Sequence, residues 1–197
     1  SCGEIVLEII KVMNGKLTKT EATLLYIALT TDTGAFQYAN VNEASFTAAA
    51  ELLRYGADAP NVMMHFFRKA TLSRLRLEGE IYSNLRTYYG GRLVIAPITR
   101  QMLARSGAVE DDFDDLAGLS GRVEGTVMNI TVRELPEGGC RVSVRSAPGI
   151  SSVAVCEAFG GGGHFMAAGC TVERNAEETV KQLLEVIEAL KVLESDT

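Results

Sequence analysis

The sequence lacks any apolar run long enough to cross a bilayer, and it lacks the basic start of a secretory signal. Hydrophobic residues make up 47% of the 197 residues, but polar residues interrupt each apolar stretch well before the length that a bilayer requires. Residues 1–4 contain no lysine or arginine. We therefore expect a soluble, cytoplasmic, globular protein with no membrane partner, large enough for one domain or two small ones.

Cysteine pairs spaced for metal binding are also missing. The cysteines at positions 2, 140, 156 and 170 are widely separated, and none stands in a C-x-x-C motif of the kind that binds zinc. Cys156 and Cys170 lie in apolar surroundings, where a free thiol behaves as a small hydrophobic side chain. All four cysteines are therefore predicted to be reduced.

An excess of positive charge is absent as well, since the formal net charge is −6 at pH 7. This charge argues against a protein that coats long nucleic acids, because such binding depends on many neutralised phosphates. A ligand with two or three phosphates needs only a local basic patch and remains compatible. The acidic run at 110–115 lacks the ligand spacing and the glycine of an EF-hand loop, so we interpret it as a solvated helix start.

Periodicity along the chain predicts an α/β organisation. Capping residues and helical spacing predict helices at 4–12, from Thr18 or Thr20 to about 29, from Asn42 to 53, at 61–85 and at 176–193, with short pieces at 101–104 and 113–119. Alternation predicts strands at 93–97, 122–135 and 140–146, the second and third forming a hairpin through the turn at 136–139. Residues 170–172 are also strand-like.

Two of these helices carry information about domains. The helix that ends near residue 29 is almost entirely apolar, which fits burial inside a domain larger than the first residues alone could form. The second half of the helix at 61–85 is polar enough to run partly through solvent. We interpret it as a connector between two domains.

Four consecutive glycines at 160–163 precede His164, one of only two histidines. Without Cβ atoms these glycines can adopt positive φ angles and direct several backbone N–H groups at one anion, to which His164 can also donate. Phosphate is the natural ligand for such a loop. The alternative is an ordinary turn beside a structural histidine, since a glycine motif alone is weakly specific.

Asp32 is a candidate metal ligand because it follows an apolar helix and is flanked by threonines and Gly34. Carboxylates placed in this way bind hard metal ions. The alternative is an Asx turn in which Asp32 only bonds the backbone of Thr33 and Gly34.

Arg145 is a candidate phosphate ligand near the end of the strand at 140–146. Alternation places Arg141, Ser143 and Arg145 on one face of this strand and two valines on the other. An arginine at this position can hold a phosphate through two parallel hydrogen bonds. The alternative is a solvated sheet face.

Three motifs together resemble the DHH phosphoesterases. They are TDTGAF at 31–36, SVRS at 143–146, and GGGGH at 160–164 followed by AAG at 167–169. Their order and spacing are most similar to the oligoribonuclease branch, which also dephosphorylates adenosine 3′,5′-bisphosphate, and the similarity covers essentially the whole chain.

The resemblance implies an α/β fold with two domains. The first would be a parallel-sheet domain that holds two manganese ions, represented here mostly by helices at 1–68. A linker helix at 69–88 would lead to a DHH-associated domain with a mixed sheet at 89–197, which binds the substrate.

The resemblance also implies roles for particular residues. Asp32 matches the last metal-ligand motif of the first domain. Arg145 and Ser146 match the strand that contacts the phosphate and base of the substrate. The loop that clamps the substrate is matched by Gly161, Gly162, Gly163 and His164.

The chain departs from the family pattern because it contains no Asp-His-His sequence and no early Asp-x-Asp motif. We therefore expect a fragment of a manganese-dependent phosphoesterase that is inactive by itself. The expected partners are a short single-stranded RNA or nucleotide substrate and, as an open option, a second copy in a homodimer. The alternative function is a nucleic-acid or nucleotide-binding module without catalysis, as at the C-terminus of alanyl-tRNA synthetases.

Overall fold

The computed structural model describes residues 1–38, 40–113 and 116–193. The chain separates into two compact units, Ser1–Ala70 and Thr71–Thr197. The boundary falls within the segment 69–88 that the family resemblance assigns to a linker helix.

The described part of the first unit is helical. Its α-helices are α1 (Cys2–Val12), α2 (Lys19–Asp32), α3 (Glu43–Arg54) and α4 (Ala59–Met63). The side chains of Thr18 and Asn42 accept hydrogen bonds from the first turns of α2 and α3, which confirms both predicted helix starts. A cap of this kind stabilises a helix by about 1 kcal/mol. Buried Leu7, Leu29 and Leu52 form the centre of the core.

The single long helix predicted at 61–85 is wrong. Helix α4 continues into a π-helical turn, Met64–Arg68, and a separate helix α5 (Leu72–Ser83) begins beyond the break. Leu77 and Ile81 on α5 are completely buried among other apolar side chains of the second unit. These two apolar residues, one turn apart, anchor one side of α5 in a core. The other side, with Leu75, Arg76 and Gly79, is exposed, so the helix runs partly through solvent.

The second unit combines helices with a six-stranded sheet. After α5, its helices are α6 (Arg100–Ser106), α7 (Leu116–Leu119), α8 (Ser152–Glu157) and α9 (Ala176–Ala189). Its strands are β1 (Arg86–Tyr88), β2 (Leu93–Ile98), β3 (Met128–Glu134), β4 (Cys140–Ser146), β5 (Gly162–His164) and β6 (Ala167–Val172).

The strand order in this sheet is β1-β2-β3-β4-β6-β5. Strands β2 and β3 are parallel, and all other neighbouring strands are antiparallel. The predicted hairpin between β3 and β4 is confirmed. The α/β class with a mixed sheet is confirmed as well.

The two faces of the sheet have different surroundings. On one face, buried side chains such as Ile130, Val142 and Cys170 pack with residues of α8 and α9. On the other face, Ala96 and Ile98 of β2 pack with apolar residues of α5, α6 and α7. Strand β2 is buried on both faces, whereas β4 alternates between buried and exposed residues.

Two of the observed strands, β1 and β5, were not predicted. One predicted helical piece, at 113–119, can be compared with the structure only in part. Strand β1 has only three residues, and β5 is formed by the glycine run that we expected to be a loop. The helical piece predicted at 113–119 is observed only as α7, since positions 114–115, and with them part of the acidic run, lie outside the described residues.

No helix in the described chain is both long enough and apolar enough to cross a membrane.

Candidate functional site

The register of the sheet brings the glycine run and Arg145 to the same face. Arg145 is paired with Ala167 on β6, and Ala167 is paired with His164 on β5. Paired residues of neighbouring strands point to the same side of a sheet. We call this side of β4, β6 and β5 the open face; it carries Arg141, Ser143, Arg145, Ala167, Gly169, Thr171, Gly162 and His164.

Small residues form the floor of the open face. Ser143 is paired with Gly169, and Gly169 is paired with Gly162. No large side chain rises from the middle of this row, so the face is concave. The resulting cleft has a volume of about 520 Å³ and is lined by Arg141, Ser143, Arg145, Gly162, Gly163 and Gly169, among others from the same three strands.

The charge of the cleft is positive although the chain as a whole is acidic. Arg141 and Arg145 both line it and are exposed, and no aspartate or glutamate is among its lining residues. Arg145 donates one hydrogen bond, from Nη1 to the carbonyl of Val144 at 3.1 Å. The guanidinium therefore keeps most of its five donors for a ligand.

The structure requires glycine at some positions of the run and not at others. Gly161 donates its N–H to the carbonyl of Cys156 at 2.9 Å, and a Cβ on Gly161 would lie 2.3 Å from the carbonyl oxygen of Gly169. Gly163 has a φ of 145°, and a Cβ there would lie 2.6 Å from the carbonyl oxygen of Ala167. Both positions therefore require glycine for the packing of β5 against β6.

Gly162 differs because a Cβ at this position would meet no atom within 4 Å. Its φ is not positive, so the expectation of positive φ angles through the run holds only for Gly160 and Gly163. Open space above Gly162 is the space of the cleft. Since β5 is an edge strand, the N–H groups on its outer side have no strand partner and can donate to a ligand.

Arg145, Ala167 and His164 form one row across β4, β6 and β5, with Ala167 in the middle. With a strand spacing of about 4.8 Å, the Cα atoms of Arg145 and His164 are about 10 Å apart. His164 is exposed and is not among the residues that line the cleft. It is placed at the rim, where its ring can approach an anion that Arg145 holds from the other side of Ala167.

Ser146 is not brought to the cleft. Its hydroxyl donates to the carbonyl of Ile150 at 2.6 Å and accepts a hydrogen bond from the hydroxyl of Ser152 at 2.9 Å. By alternation it faces the side opposite to Arg145. In the structure Ser146 ties the chain after β4 to the start of α8.

Asp32 lies in the first unit, at the C-terminal end of α2, and its side chain is 51% exposed. The Asx turn that we considered as the alternative is not formed, because the N–H groups of Thr33 and Gly34 donate to the carbonyls of Leu29 and Thr31. Within the described residues there is no group of three or more His, Cys, Asp or Glu side chains that could hold a metal ion.

All four cysteines are free, and those at 140, 156 and 170 are buried. Cys156 on α8 and Cys170 on β6 are packed beneath Gly161. The hydrogen bond with Cys170, together with burial, raises the pKa of the Cys156 thiol. Cys156 is therefore a protonated packing residue and not a thiolate nucleophile.

Sequence reasoning missed the floor of the cleft. Gly169 and Ala167 were noted as small residues, but their place beside Ser143 and Arg145 follows only from the pairing of β4 with β6. Arg141 was placed on the polar face of β4 and was not assigned to the site, although it lines the cleft. The alternating pattern of the strand was the signal that could have included it.

Comparison with known proteins gives three findings. Residues 104–192 match the DHHA1 domain. A Thermus thermophilus protein named bifunctional oligoribonuclease and PAP phosphatase NrnA is 33% identical over 186 residues, which are 93% of this chain and 55% of the relative. An A-adding tRNA nucleotidyltransferase of Geobacter sulfurreducens is 29% identical over 174 residues, which are 86% of this chain and 18% of that protein.

A solved structure is also similar over the full chain. An exopolyphosphatase-related protein from Bacteroides fragilis superposes with a TM-score of 0.91 at 26% sequence identity, and the match covers 100% of this chain and 58% of that one. This chain thus spans little more than half the length of the Thermus and Bacteroides proteins.

Proposed function

Because this chain belongs to the DHH-family phosphoesterases, whose DHHA1 domain it carries at residues 104–192, we propose that its open-face cleft binds the substrate of such an enzyme. The substrates proposed are short oligoribonucleotides and nucleoside bisphosphates. The observation that carries the proposal is that Arg145 and Gly162 line one cleft above a floor of Ala167 and Gly169. The Thermus relative, named for oligoribonuclease and PAP phosphatase activity, supports the choice of substrates.

The proposed binding mode assigns a physical task to each residue. Arg145 would hold a phosphate with two parallel hydrogen bonds, which suits the planar guanidinium. His164 would donate to the same anion from the rim, across Ala167. Gly162 would keep the space above the floor free, and Ser146 would fix the chain between β4 and α8.

Manganese is part of the proposal for the complete enzyme, with Asp32 as one ligand. A centre with two metal ions needs several carboxylate and histidine ligands, and the described residues offer no such cluster. The described residues therefore do not fit a complete metal centre, and we derive no catalytic step through one. The role proposed for this chain is to bind and orient the substrate.

The surface of the first unit supports the proposal that the chain is a fragment. Many of its large apolar side chains are exposed, including Ile5 (64%) and Val12 (81%) on α1 and Met13 (75%) directly after it. Monomeric soluble proteins rarely expose large contiguous apolar patches. In the complete enzyme these side chains would be covered by further polypeptide.

A binding experiment tests the proposal. Replacing Arg145 with Gln should weaken the binding of the 5′-phosphorylated dinucleotide pApA by roughly 1.5–3 kcal/mol, the contribution of hydrogen bonds to a charged group. Isothermal titration calorimetry on both proteins measures the difference. The matched control is Lys181→Gln, because Lys181 is an exposed residue of α9, which packs on the other face of the sheet.

Two results would contradict the proposal. The first is a wild-type chain that does not bind pApA. The second is an Arg145→Gln protein that binds pApA as tightly as the wild type does.

A second candidate function is a binding module without catalysis. One observation favours this binding module: the chain is similar to a segment that makes up only 18% of a tRNA nucleotidyltransferase. The name of that protein describes a different reaction. The two candidates share the cleft and differ in chemistry. Manganese-dependent release of phosphate by a longer protein that includes this chain would favour the phosphoesterase.

A further inference from the structure

Two arginines of the sheet are paired directly across neighbouring strands. Arg133 on β3 is the register partner of Arg141 on β4, so both side chains leave the same side of the sheet. Like charges in this arrangement repel each other and destabilise the pair. An arrangement of this kind requires a compensating interaction.

The described residues supply only part of that compensation. The guanidinium of Arg133 lies over the ring of Phe113, 4.7 Å from its centroid. Arg141 is exposed, lines the cleft, and forms no ion pair with a carboxylate of the described chain. An anion held between Arg133 and Arg141 would neutralise the repulsion and use the free donors of both side chains.

The pair is separated from Arg145 along the strand. Arg141 and Arg145 are four residues apart on one face of β4, which places their Cα atoms about 13–14 Å apart. A stacked single strand rises by about 3.4 Å per nucleotide, so about four nucleotides span this distance. A stretched strand spans it with fewer nucleotides. This separation of the two backbone positions exceeds the spacing of adjacent phosphates in a stacked strand.

We propose that Arg133 and Arg141 form a second phosphate subsite, which contacts a phosphodiester of a single-stranded oligonucleotide whose terminal phosphate is held at Arg145. The inference rests on the proposed function of the cleft. It adds a preference for length: oligonucleotides of about four or more residues reach the second subsite, whereas dinucleotides and nucleoside bisphosphates bind only at Arg145.

The test compares 5′-phosphorylated oligoadenylates of two and six residues on the full chain. Fluorescence anisotropy measures the dissociation constants for the wild type, Arg141→Gln, Arg133→Gln and the control Lys181→Gln. We expect Arg141→Gln to weaken hexamer binding by about fivefold and to lower the slope of log K against log salt by about 0.7, the value for one phosphate contact of a single strand. Dimer binding should not change.

Arg133→Gln provides a second variant at the same subsite and should give the same length-dependent loss. A thermal melt of each protein shows that it is folded under the conditions of the titration. Removing one of two like charges should leave the melting temperature of Arg141→Gln unchanged or higher.

The outcomes separate this inference from the proposed function. If both arginine variants bind the hexamer as tightly as the wild type, or weaken dimer and hexamer binding equally, the second subsite is wrong although the cleft still binds nucleotides. If the wild type binds neither oligonucleotide, both the proposed function and the second subsite are wrong.

Discussion

At the scale of single residues, neighbouring glycines of one run have separate roles. A side chain on Gly161 would collide with the backbone of β6, whereas one on Gly162 would extend into the cleft without touching protein. A side chain added at Gly161 should therefore affect stability, and one added at Gly162 should affect binding.

Replacing Gly162 with Val should abolish pApA binding and leave the melting temperature nearly unchanged, because the side chain fills ligand space and the backbone φ is not positive. Gly161→Ala should lower the melting temperature, because its Cβ would lie 2.3 Å from the carbonyl oxygen of Gly169. Differential scanning fluorimetry and calorimetric titration measure the two effects. An early-melting Gly162→Val protein that binds normally when folded would contradict the role of Gly162 in the cleft.

At the scale of secondary structure elements, one carboxylate ties the start of α5 to a distant loop. Asp112 accepts hydrogen bonds from the hydroxyls of Thr71 and Ser73, at 2.6 and 2.9 Å, and from the N–H of Val109 at 3.0 Å. These hydrogen bonds, the one from Thr71 foremost, lower the pKa of Asp112. The charged form of Asp112 thus stabilises the contact between α5 and residues 109–113.

This arrangement gives a pH dependence. Because the folded-state pKa lies below the unfolded value, the stabilisation is complete above the unfolded pKa of about 3.9 and is lost as the pH falls through the folded-state value. Asp112→Asn should lower the melting temperature at pH 7, and its difference from the wild type should shrink as the pH falls below about 4. Thermal melts of both proteins at several pH values measure this difference in melting temperature.

The control for this prediction is Glu173→Gln, at an exposed carboxylate after β6, which should melt as the wild type does at each pH. A constant difference between wild type and Asp112→Asn from pH 7 down to pH 2 would contradict the assigned role of the charge.

At the scale of the whole molecule, the two units differ in how completely they bury apolar side chains. The second unit has apolar clusters on both faces of its sheet. The first unit leaves Ile5, Ile9, Leu24 and Phe46 more than half exposed. The second unit should therefore fold without the first, and the first should not be stable alone.

Expressing residues 71–197 alone should give one cooperative thermal transition and pApA affinity equal to that of the full chain, because the cleft lies entirely in this unit. Residues 1–70 alone should self-associate through their exposed apolar side chains. Circular dichroism, calorimetry and light scattering check the three results. A fragment 71–197 without a cooperative transition would contradict the assignment of two separate cores.

Much of the local structure could be predicted from the sequence because its causes are local. Thr18 and Asn42 bond N–H groups within three residues, so the helix starts are visible in the sequence. The alternation of β4 likewise separates Arg145 from the valines. The family motifs located the glycine run and Arg145, and the structure places both at one cleft.

The tertiary structure decided what depends on residues far apart in the chain. The pairing of β4 with β6, in which Ser143 lies beside Gly169, brings the glycine run to the same face as Arg145, and the local sequence of neither strand indicates it. The break between α4 and α5 lies at the boundary of the two units, where Val62 of α4 packs in one core and Leu77 and Ile81 of α5 pack in the other. Local preferences are worth a fraction of a kcal/mol per residue, whereas burial of a large apolar side chain is worth about 1.5–3 kcal/mol, so packing overrides them. The sequence therefore determined which residues are available for binding, and the packing of strands and helices determined which of them share one face.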